Sequence, residues 1–277
     1  MTVNADNPEI GKLVELENCA INYLEAGDPK NPTVMLIHGS GPGVTAFANW
    51  HLIMPRLAER YHVIAPDMVG FGYSTYKPDF KFELLNWVDS IRQFMDKLAI
   101  PSAYFVGNSY GGALSLAMAA TQPDRVNKFV MMGSAGINFP ISDGLEQVWG
   151  YKPSMQAMAD MMSVFAYNKN LVTDVIVKSR YEASMRPGCQ EAYEAMFPAP
   201  RQEKLDALCL PKDLIRKIET PALIVHGRED VIVPMSVAIE AHQLIKHSQL
   251  HVFGECGHWT QVEKKDEFTA LLENFFA

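Results

Sequence analysis

Short apolar runs that end in glycine or aspartate recur along the chain and alternate with segments of helical periodicity. Continuous runs of this kind suit strands that are buried on both faces of a parallel sheet. The runs are TVMLIHG (33–39), YHVIAPD (61–67), AYFVGN (103–108), KFVMMGS (128–134), PALIVHG (221–227) and LHVFGE (250–255). The helical segments lie near 84–98, 111–121, 236–247 and 263–276. This alternation predicts an α/β protein.

One stretch interrupts the alternation. Residues from about 139 to 207 contain no strand-like run and are rich in helix formers, methionine and aromatic residues. Prolines punctuate the stretch, which favours several short helices joined by turns. We therefore expect a core formed by 1–138 and 208–277 and a helical cap formed by 139–207.

Composition narrows the class of protein and its partners. A chain of 277 residues, 48% apolar and 20% charged, can bury one large core with an inserted subdomain. The net charge of -8 disfavours nucleic acid as a partner. No apolar run reaches the ~18 residues of a membrane span, and the N-terminus does not read as a signal peptide. The four cysteines are scattered without metal-ligand spacing. We expect a cytoplasmic protein that contacts no membrane and needs no metal or cofactor.

The segment GNSYG places Ser109 where a predicted strand passes into a predicted helix. It matches GxSxG, and in that context the pattern predicts a nucleophile elbow, a sharp turn that needs small flanking residues and projects the serine oxygen above the sheet. The alternative is a glycine-rich turn without catalysis, such as one that binds phosphate. A serine hydroxyl is a weak nucleophile at neutral pH, so catalysis also needs a base and a group that orients the base.

Asp230 and His258 fit those two roles by position. Each follows a predicted strand, and the order Ser109, Asp230, His258 is the nucleophile, acid and base order of the elbow-type hydrolases. Taken singly, Asp230 and His258 could be ordinary turn residues. The competing histidines are His38, His51, His62, His226, His242, His247 and His251. None of them occupies the last strand-to-helix loop.

The loop HGSGPG (38–43) is the expected source of donors for an oxyanion. The backbone N–H of Ser40 and that of Tyr110, which follows the nucleophile, would supply them. The glycines of this loop, with Asp67 after the next strand, also resemble a dinucleotide-binding loop. The proline inside the loop and the lack of a proper GxGxxG pattern count against that alternative.

Seven segments together resemble one known family: HGSGPGVTAFANW, APDMVGFGYS, VGNSYGG, YEASMRPG, MFPAPRQ, HGREDVIVP and HVFGECGHWTQVE. The chain closely resembles the meta-cleavage product hydrolases, enzymes of the α/β-hydrolase fold. These cleave a carbon-carbon bond in 2-hydroxy-6-oxohexa-2,4-dienoates during bacterial breakdown of aromatic compounds. The resemblance covers almost the whole chain and is closest to the branch acting on 2-hydroxymuconic semialdehyde and alkyl-substituted relatives. GxSxG is generic, but HGSGPG with the asparagine beside the nucleophile and GHW is far more specific.

The resemblance implies a mostly parallel eight-stranded sheet with helices on both faces and an inserted helical cap. It implies a triad of Ser109, Asp230 and His258, with the amides of Ser40 and Tyr110 as the oxyanion hole. It also implies a dienoate substrate, no cofactor and a homo-oligomer. The substrate-binding residues that it implies are Gly41, Asn49, Asn108, Arg180 and Trp259.

Arg180 would hold the substrate carboxylate or enolate by a bidentate contact. Without the resemblance it reads as a solvated arginine, and Arg186 and Arg201 are alternatives for the role. The family more often has phenylalanine or methionine at Tyr110 and arginine at His51. A tyrosine hydroxyl near the pocket would alter substrate preference.

An apolar wall for the substituent at C6 of the substrate is expected from the insertion, although the same residues also suit the cap core. They are Trp149, Met155, Met158, Met161, Met162 and Phe165.

Two other functions use the same framework. A carboxylesterase or lactonase would use the same triad and would be indifferent to Arg180→Ala. A ligand receptor on a hydrolase scaffold would bind a small molecule without turnover.

Overall fold

A computed structural model describes residue 4 and residues 6–277 of the chain. Nine strands form one sheet in this part of the chain, and eight of them follow the order β1-β2-β4-β3-β6-β7-β8-β9. The short β5 pairs beside β2. β2 pairs antiparallel with β1, β4 and β5, whereas the pairs along the order β4-β3-β6-β7-β8-β9 are parallel. The strands are β1 Lys12–Glu15, β2 Cys19–Ala26, β3 Thr33–Ile37, β4 His62–Pro66, β5 Thr75–Tyr76, β6 Ala103–Asn108, β7 Val126–Met132, β8 Ala222–Gly227 and β9 Ser248–Phe253.

Helices lie along the chain between these strands and after the last one. The helices of the core are α1 Ala46–Trp50, α2 Met54–Leu57, α3 Leu84–Lys97, α4 Tyr110–Thr121, α10 Lys212–Ile215, α11 Met235–Leu244, α12 Thr260–Glu263 and α13 Lys265–Phe276. The helices within 139–207 are α5 Asp143–Trp149, α6 Met155–Phe165, α7 Asp174–Ser184, α8 Cys189–Met196 and α9 Arg201–Ala207. Two single turns of 3₁₀ helix are formed by Pro123–Arg125 and Lys169–Leu171. Within the described residues, no helix is long and apolar enough to cross a membrane.

Alternate residues of the central strands enter two different apolar clusters. In β3, Met35 and Ile37 pack with residues of α3 and α4, whereas Val34 and Leu36 pack with residues of α1, α2 and α13. Side chains of a strand alternate between the two faces of a sheet, so each cluster lies on one face. This confirms the mostly parallel sheet with helices on both faces.

The six apolar runs correspond to β3, β4, β6, β7, β8 and β9, whereas β1, β2 and β5 lie outside them. β2 has the sequence CAINYLEA, in which the buried Asn22 interrupts the apolar pattern. The last predicted helix, near 263–276, corresponds to α13, and the short α12 precedes it because the chain leaves the helical conformation at Lys264.

Parallel strands bring their carboxyl ends to one edge of the sheet, where ligands of α/β proteins bind. The loop 38–43 follows β3, Ser109 follows β6, Asp230 lies three residues after β8, and His258 lies in the loop after β9. The topology therefore brings four segments that are distant in sequence to the same edge.

Candidate active site

Ser109 occupies a strained turn between β6 and α4. Its backbone has φ 54° and ψ -114°, a conformation that costs a non-glycine residue about 1–3 kcal/mol. The Ser109 N–H donates to Met132 O at 2.8 Å and fixes the turn to the neighbouring strand. A Cβ on Gly111 would lie 2.2 Å from Ile37 O, so only glycine allows the new helix to pass that close to β3. The geometry is that of the predicted nucleophile elbow.

Asp230 and His258 form a buried pair. His258 Nδ1 donates to Asp230 Oδ2 at 2.7 Å, and the two side chains are 2% and 1% exposed, respectively. Burial acts to raise the pKa of Asp230, but the adjacent His258 ring and the backbone donors outweigh it and hold that pKa below its usual range. The second carboxylate oxygen accepts from the N–H groups of Ile232 and Val233. The carboxylate is therefore ionised at neutral pH and orients the His258 ring.

Ser109 and His258 line the same cavity. Among the described residues, Ser109 Oγ forms no hydrogen bond with the His258 ring, whose Nδ1 is bound to Asp230. Such a bond often forms or tightens only when substrate is in the site. Nε2 is the ring nitrogen that this hydrogen bond leaves free.

Gly133, directly after β7, was not singled out from the sequence. β7 lies between the strands that carry Ser109 and Asp230, and Gly133 has φ +52°. A Cβ here would lie 3.1 Å from His258 Nδ1 and 3.2 Å from Asp230 Oδ2. The glycine makes room for the hydrogen-bonded pair of Asp230 and His258. Its signal in the sequence was a glycine at the end of a strand-like run, and such a glycine equally well marks only the end of the strand.

His38 and His226 form hydrogen bonds with other groups, although His226 Nε2 also lies 3.8 Å from Asp230 Oδ2. His38 donates from Nδ1 to Gly39 O and accepts from Met68 N at Nε2, and burial lowers its pKa to about 4. His226 contacts Val233 O at 3.0 Å, and burial lowers its pKa as well. Both rings are therefore neutral structural groups at pH 7. Of all eight histidines, His51 and His258 line the cavity.

The two candidate oxyanion donors lie at the ends of β3 and β6. Ser40 N–H has no acceptor in the described part of the chain, and Ser40 Oγ accepts from Trp149 Nε1 at 3.0 Å. Tyr110 begins α4, where helix N–H groups have no partner within the helix. The Tyr110 ring packs in the core against Phe71 and Trp87, with centroid distances of 5.6 and 5.0 Å. Tyr110 does not line the cavity, so its hydroxyl does not bear on substrate preference in the way considered from the sequence.

A cavity of about 870 Å³ joins these groups to the cap helices. Asn49 Oδ1 accepts from Gly39 N at 3.3 Å, and its buried Nδ2 has no acceptor among the described residues. Asn108 Nδ2 donates to Met132 O at 3.3 Å. The substrate-binding residues expected from the sequence all line this cavity: Gly41, Asn49, Asn108, Arg180 and Trp259.

Two arginines line the cavity rather than one. Arg180 on α7 donates to Glu9 Oε1 at 2.7 Å and to Gly43 O at 3.4 Å. Arg186 lies 3.6 Å from Glu9 Oε2, and its guanidinium lies over the ring of Tyr73. Arg201 pairs with Glu146 outside the cavity. Arg186 therefore stays an alternative or a companion to Arg180, and Arg201 does not.

A family model described as the alpha/beta hydrolase fold matches residues 32–163 and 190–265. The chain is 46% identical to a 2-hydroxymuconate semialdehyde hydrolase from a Pseudomonas species, over 100% of this chain and 97% of the relative. It is 47% identical to a 2-hydroxy-6-oxo-2,4-heptadienoate hydrolase from Pseudomonas putida, over 98% of each chain. The chain belongs to the meta-cleavage product hydrolases. A meta-cleavage product hydrolase from Pseudomonas fluorescens, solved as a serine-to-alanine mutant with acetates, superposes with a TM-score of 0.95 at 47% identity over 98% of each chain.

The apolar wall expected from the insertion is present in part. Phe165 stacks on Trp259 at a centroid distance of 5.1 Å. Two residues expected in this wall are not there, because Met155 is 43% exposed and Trp149 turns its indole N–H to Ser40. The residues of the predicted wall that do line the cavity are Met158, Met161, Met162 and Phe165. The wall also contains residues that were not singled out from the sequence: Leu145, Val148, Leu171, Val175, Ile176, Ile232 and Val262.

Glu9 and Gln261 also went unnoticed in the sequence. Gln261 is 2% exposed, lines the cavity, and its Oε1 has no donor among the described residues. The sequence signal for Gln261 was its position in GHWTQ, part of a segment that carries the family resemblance. Glu9 gave none, because its partner Arg180 is 171 positions away. Among residue 4 and residues 6–277, no group of three His, Cys, Asp or Glu side chains is placed to hold a metal ion.

Proposed function

We propose that the protein adds water across the C5–C6 bond of a 2-hydroxy-6-oxohexa-2,4-dienoate and releases 2-hydroxypenta-2,4-dienoate and a carboxylic acid. One observation carries the proposal: a single cavity joins the Ser109, Asp230 and His258 constellation to a pair of arginines. Relatives at 46% and 47% identity are named for 2-hydroxymuconate semialdehyde and 2-hydroxy-6-oxo-2,4-heptadienoate, which are substrates of this class.

The first chemical problem is the leaving group. Breaking a carbon-carbon bond leaves a carbanion, so the dienol must first become a keto form, from which the departing fragment leaves as a stabilised dienolate. In the proposal, Arg180 stabilises negative charge at the hydroxy-acid end by charge-assisted hydrogen bonds. Asn49 and Asn108 provide amide groups beside it. His258 takes the hydroxyl proton and returns a proton at C5.

The second step is addition to the C6 ketone. Either Ser109 Oγ or a water deprotonated by His258 forms the new C6–O bond, and the amides of Ser40 and Tyr110 stabilise the oxyanion. The C5–C6 bond then breaks, its electron pair enters the dienolate, and the C2 oxygen of the dienolate takes up the proton that His258 removed from the nucleophile. If Ser109 is the nucleophile, a water molecule hydrolyses the resulting ester and frees the acid.

The geometry favours these roles for physical reasons. The pKa of Asp230 is held below its usual range, so its carboxylate stabilises a protonated His258 during proton transfer. The pair is nearly excluded from water, which strengthens this interaction. The strained turn at Ser109 fixes the hydroxyl group before substrate arrives.

A kinetic panel of dienoates with hydrogen, methyl, isopropyl and phenyl at C6 tests the proposal. We expect loss of the yellow dienoate chromophore with at least one member, and a fall in kcat of at least about 10³-fold in Ser109→Ala. Arg180→Ala should lower kcat/KM on the dienoate by roughly 10²-fold and leave turnover of a p-nitrophenyl ester almost unchanged. Fast ester turnover without dienoate cleavage would instead identify an esterase or lactonase.

Three expectations remain predictions within this proposal. They are a cytoplasmic location, a homo-oligomeric state, and a division into a core of 1–138 and 208–277 with a cap of 139–207. The exclusively helical elements α5–α9 support the last of these.

A further inference from the structure

Glu9 places its carboxylate between the two arginines of the cavity. Oε1 accepts from Arg180 Nη2 at 2.7 Å, and Oε2 lies 3.6 Å from Arg186 Nη1. The Glu9 side chain is 14% exposed, so the group is largely removed from water. Each oxygen of one carboxylate thus faces a different guanidinium, which is how two arginines bind a carboxylate ligand.

The backbone of Glu9 is fixed by the core. Glu9 N–H donates to Asn7 Oδ1, and Glu9 O accepts from Asn22 Nδ2, both at 3.0 Å. Asn7 in turn donates to the hydroxyl of Tyr73 at 2.7 Å, and the Tyr73 ring lies under Arg186. Because these contacts hold the segment in place, the Glu9 side chain is the part that can leave the arginines. Its carboxylate stays close to them at a high effective concentration.

Glu9 provides a hydrogen-bond acceptor for Arg180 but not for Arg186. Arg180 has a short charge-assisted hydrogen bond, whereas Arg186 Nη1 and Nη2 are buried without a hydrogen-bond acceptor among the described residues. Buried donors of a charged group cost free energy when they lack a partner. A carboxylate that reaches both guanidiniums is a better ligand for the pair than Glu9 alone.

We infer that Glu9 competes with the substrate, as an internal carboxylate that occupies a two-arginine subsite until the carboxylate of the substrate displaces it. The inference rests on the proposed function for the class of ligand, a dienoate anion. When a ligand with a carboxylate binds, its carboxylate replaces that of Glu9 beside the two arginines. A neutral ligand cannot do so, because displacing Glu9 would leave two partly buried cations without a negative partner. Glu9 therefore weakens the binding of every carboxylate ligand at this end of the cavity.

The test measures ligand binding without turnover, in protein that carries Ser109→Ala. The ligands are sorbate, a plain 2,4-dienoate anion, and its neutral methyl ester, each titrated by ligand-observed NMR. Glu9→Gln leaves an amide oxygen for Arg180 and removes the competing charge. We expect it to lower the Kd of sorbate about fivefold to tenfold and to leave that of methyl sorbate unchanged. Arg186→Gln should raise the Kd of sorbate about tenfold.

Arg201→Gln is the matched control, because Arg201 pairs with Glu146 outside the cavity, and it should leave both Kd values unchanged. Weaker or equal binding of sorbate by Glu9→Gln would overturn the inference, since Glu9 would then position Arg180 rather than compete. If Arg186→Gln does not fold, as thermal unfolding will show, the Glu9→Gln result decides alone. A wild-type enzyme that cleaves no dienoate would refute the proposed function and leave the sorbate result standing.

Discussion

Gly133→Ala gives a sharp test of how the acid-base pair is packed. The new Cβ would lie 3.1 Å from His258 Nδ1 and 3.2 Å from Asp230 Oδ2, so the 2.7 Å hydrogen bond between these groups must shift. The alanine would also adopt φ +52°, at a cost of about 1–2 kcal/mol. For a chain of this size that corresponds to a fall in Tm of roughly 2–8 °C.

Small errors in the position of catalytic groups are costly, and a shift approaching 1 Å can cost about 10²-fold in rate. Because a shift of only a few tenths of an ångström relieves this crowding, we expect kcat of Gly133→Ala on the dienoate to fall at least about tenfold. The assay is steady-state loss of the dienoate chromophore, with Tm measured by calorimetry on the same samples.

Gly188→Ala separates backbone strain from crowding. Gly188 has φ +82°, and a Cβ there would meet no atom within 4 Å. This variant should lose a similar amount of stability and keep the wild-type kcat. Equal kcat values for Gly133→Ala, Gly188→Ala and the wild type would refute the argument that Gly133 makes room for the pair.

Three further predictions follow from single contacts. Asp230→Asn should lower kcat by up to about 10⁴-fold while the fold survives, because the amide no longer favours the Nδ1–H form of His258; a fall below tenfold in rate measurements would contradict this. Trp149→Phe keeps the stacking on Phe197 but removes the donor to Ser40 Oγ, so kcat should fall several-fold with KM little changed; an effect on KM alone would exclude positioning of the oxyanion loop. Burial raises the pKa of Asp67 to about 6, so between pH about 4 and 6 Asp67 holds a proton in the folded state that it has lost in the unfolded state. The contribution of Asp67 to the free energy of unfolding therefore falls as pH rises through that window. Calorimetry should find this slope missing in Asp67→Asn, and equal slopes would refute it.

The sheet and the order of the candidate triad were predictable because both depend on local pattern. A strand buried on both faces must be apolar throughout, and parallel strands bring their carboxyl ends together. Ser109, Asp230 and His258 could therefore be assigned to one edge before their distances were known. β2 does not form a continuous apolar run, because it contains the polar Asn22, which is buried and donates to Asp67 at 2.8 Å.

The rest of the candidate site depends on contacts between distant segments. Glu9 meets Arg180 only after the N-terminal segment is fixed to the core, and nothing near Glu9 in sequence marks it. Helical spacing predicted that Met155 lies with the other methionines of α6 in the apolar wall. Met155 instead lies on the exposed side of α6. Tyr110 follows the nucleophile in sequence, yet the direction of α4 turns its ring into the core.

The most direct measurement is product analysis after incubation of the wild-type enzyme with 2-hydroxy-6-oxohepta-2,4-dienoate in water enriched in heavy oxygen. Hydrolysis of the C5–C6 bond predicts equal amounts of 2-hydroxypenta-2,4-dienoate and acetate, with one heavy oxygen atom in the acetate. Ser109→Ala should form both products far more slowly. An unchanged dienoate, or cleavage products without heavy oxygen, would contradict the proposal that this cavity carries out hydrolytic carbon-carbon cleavage.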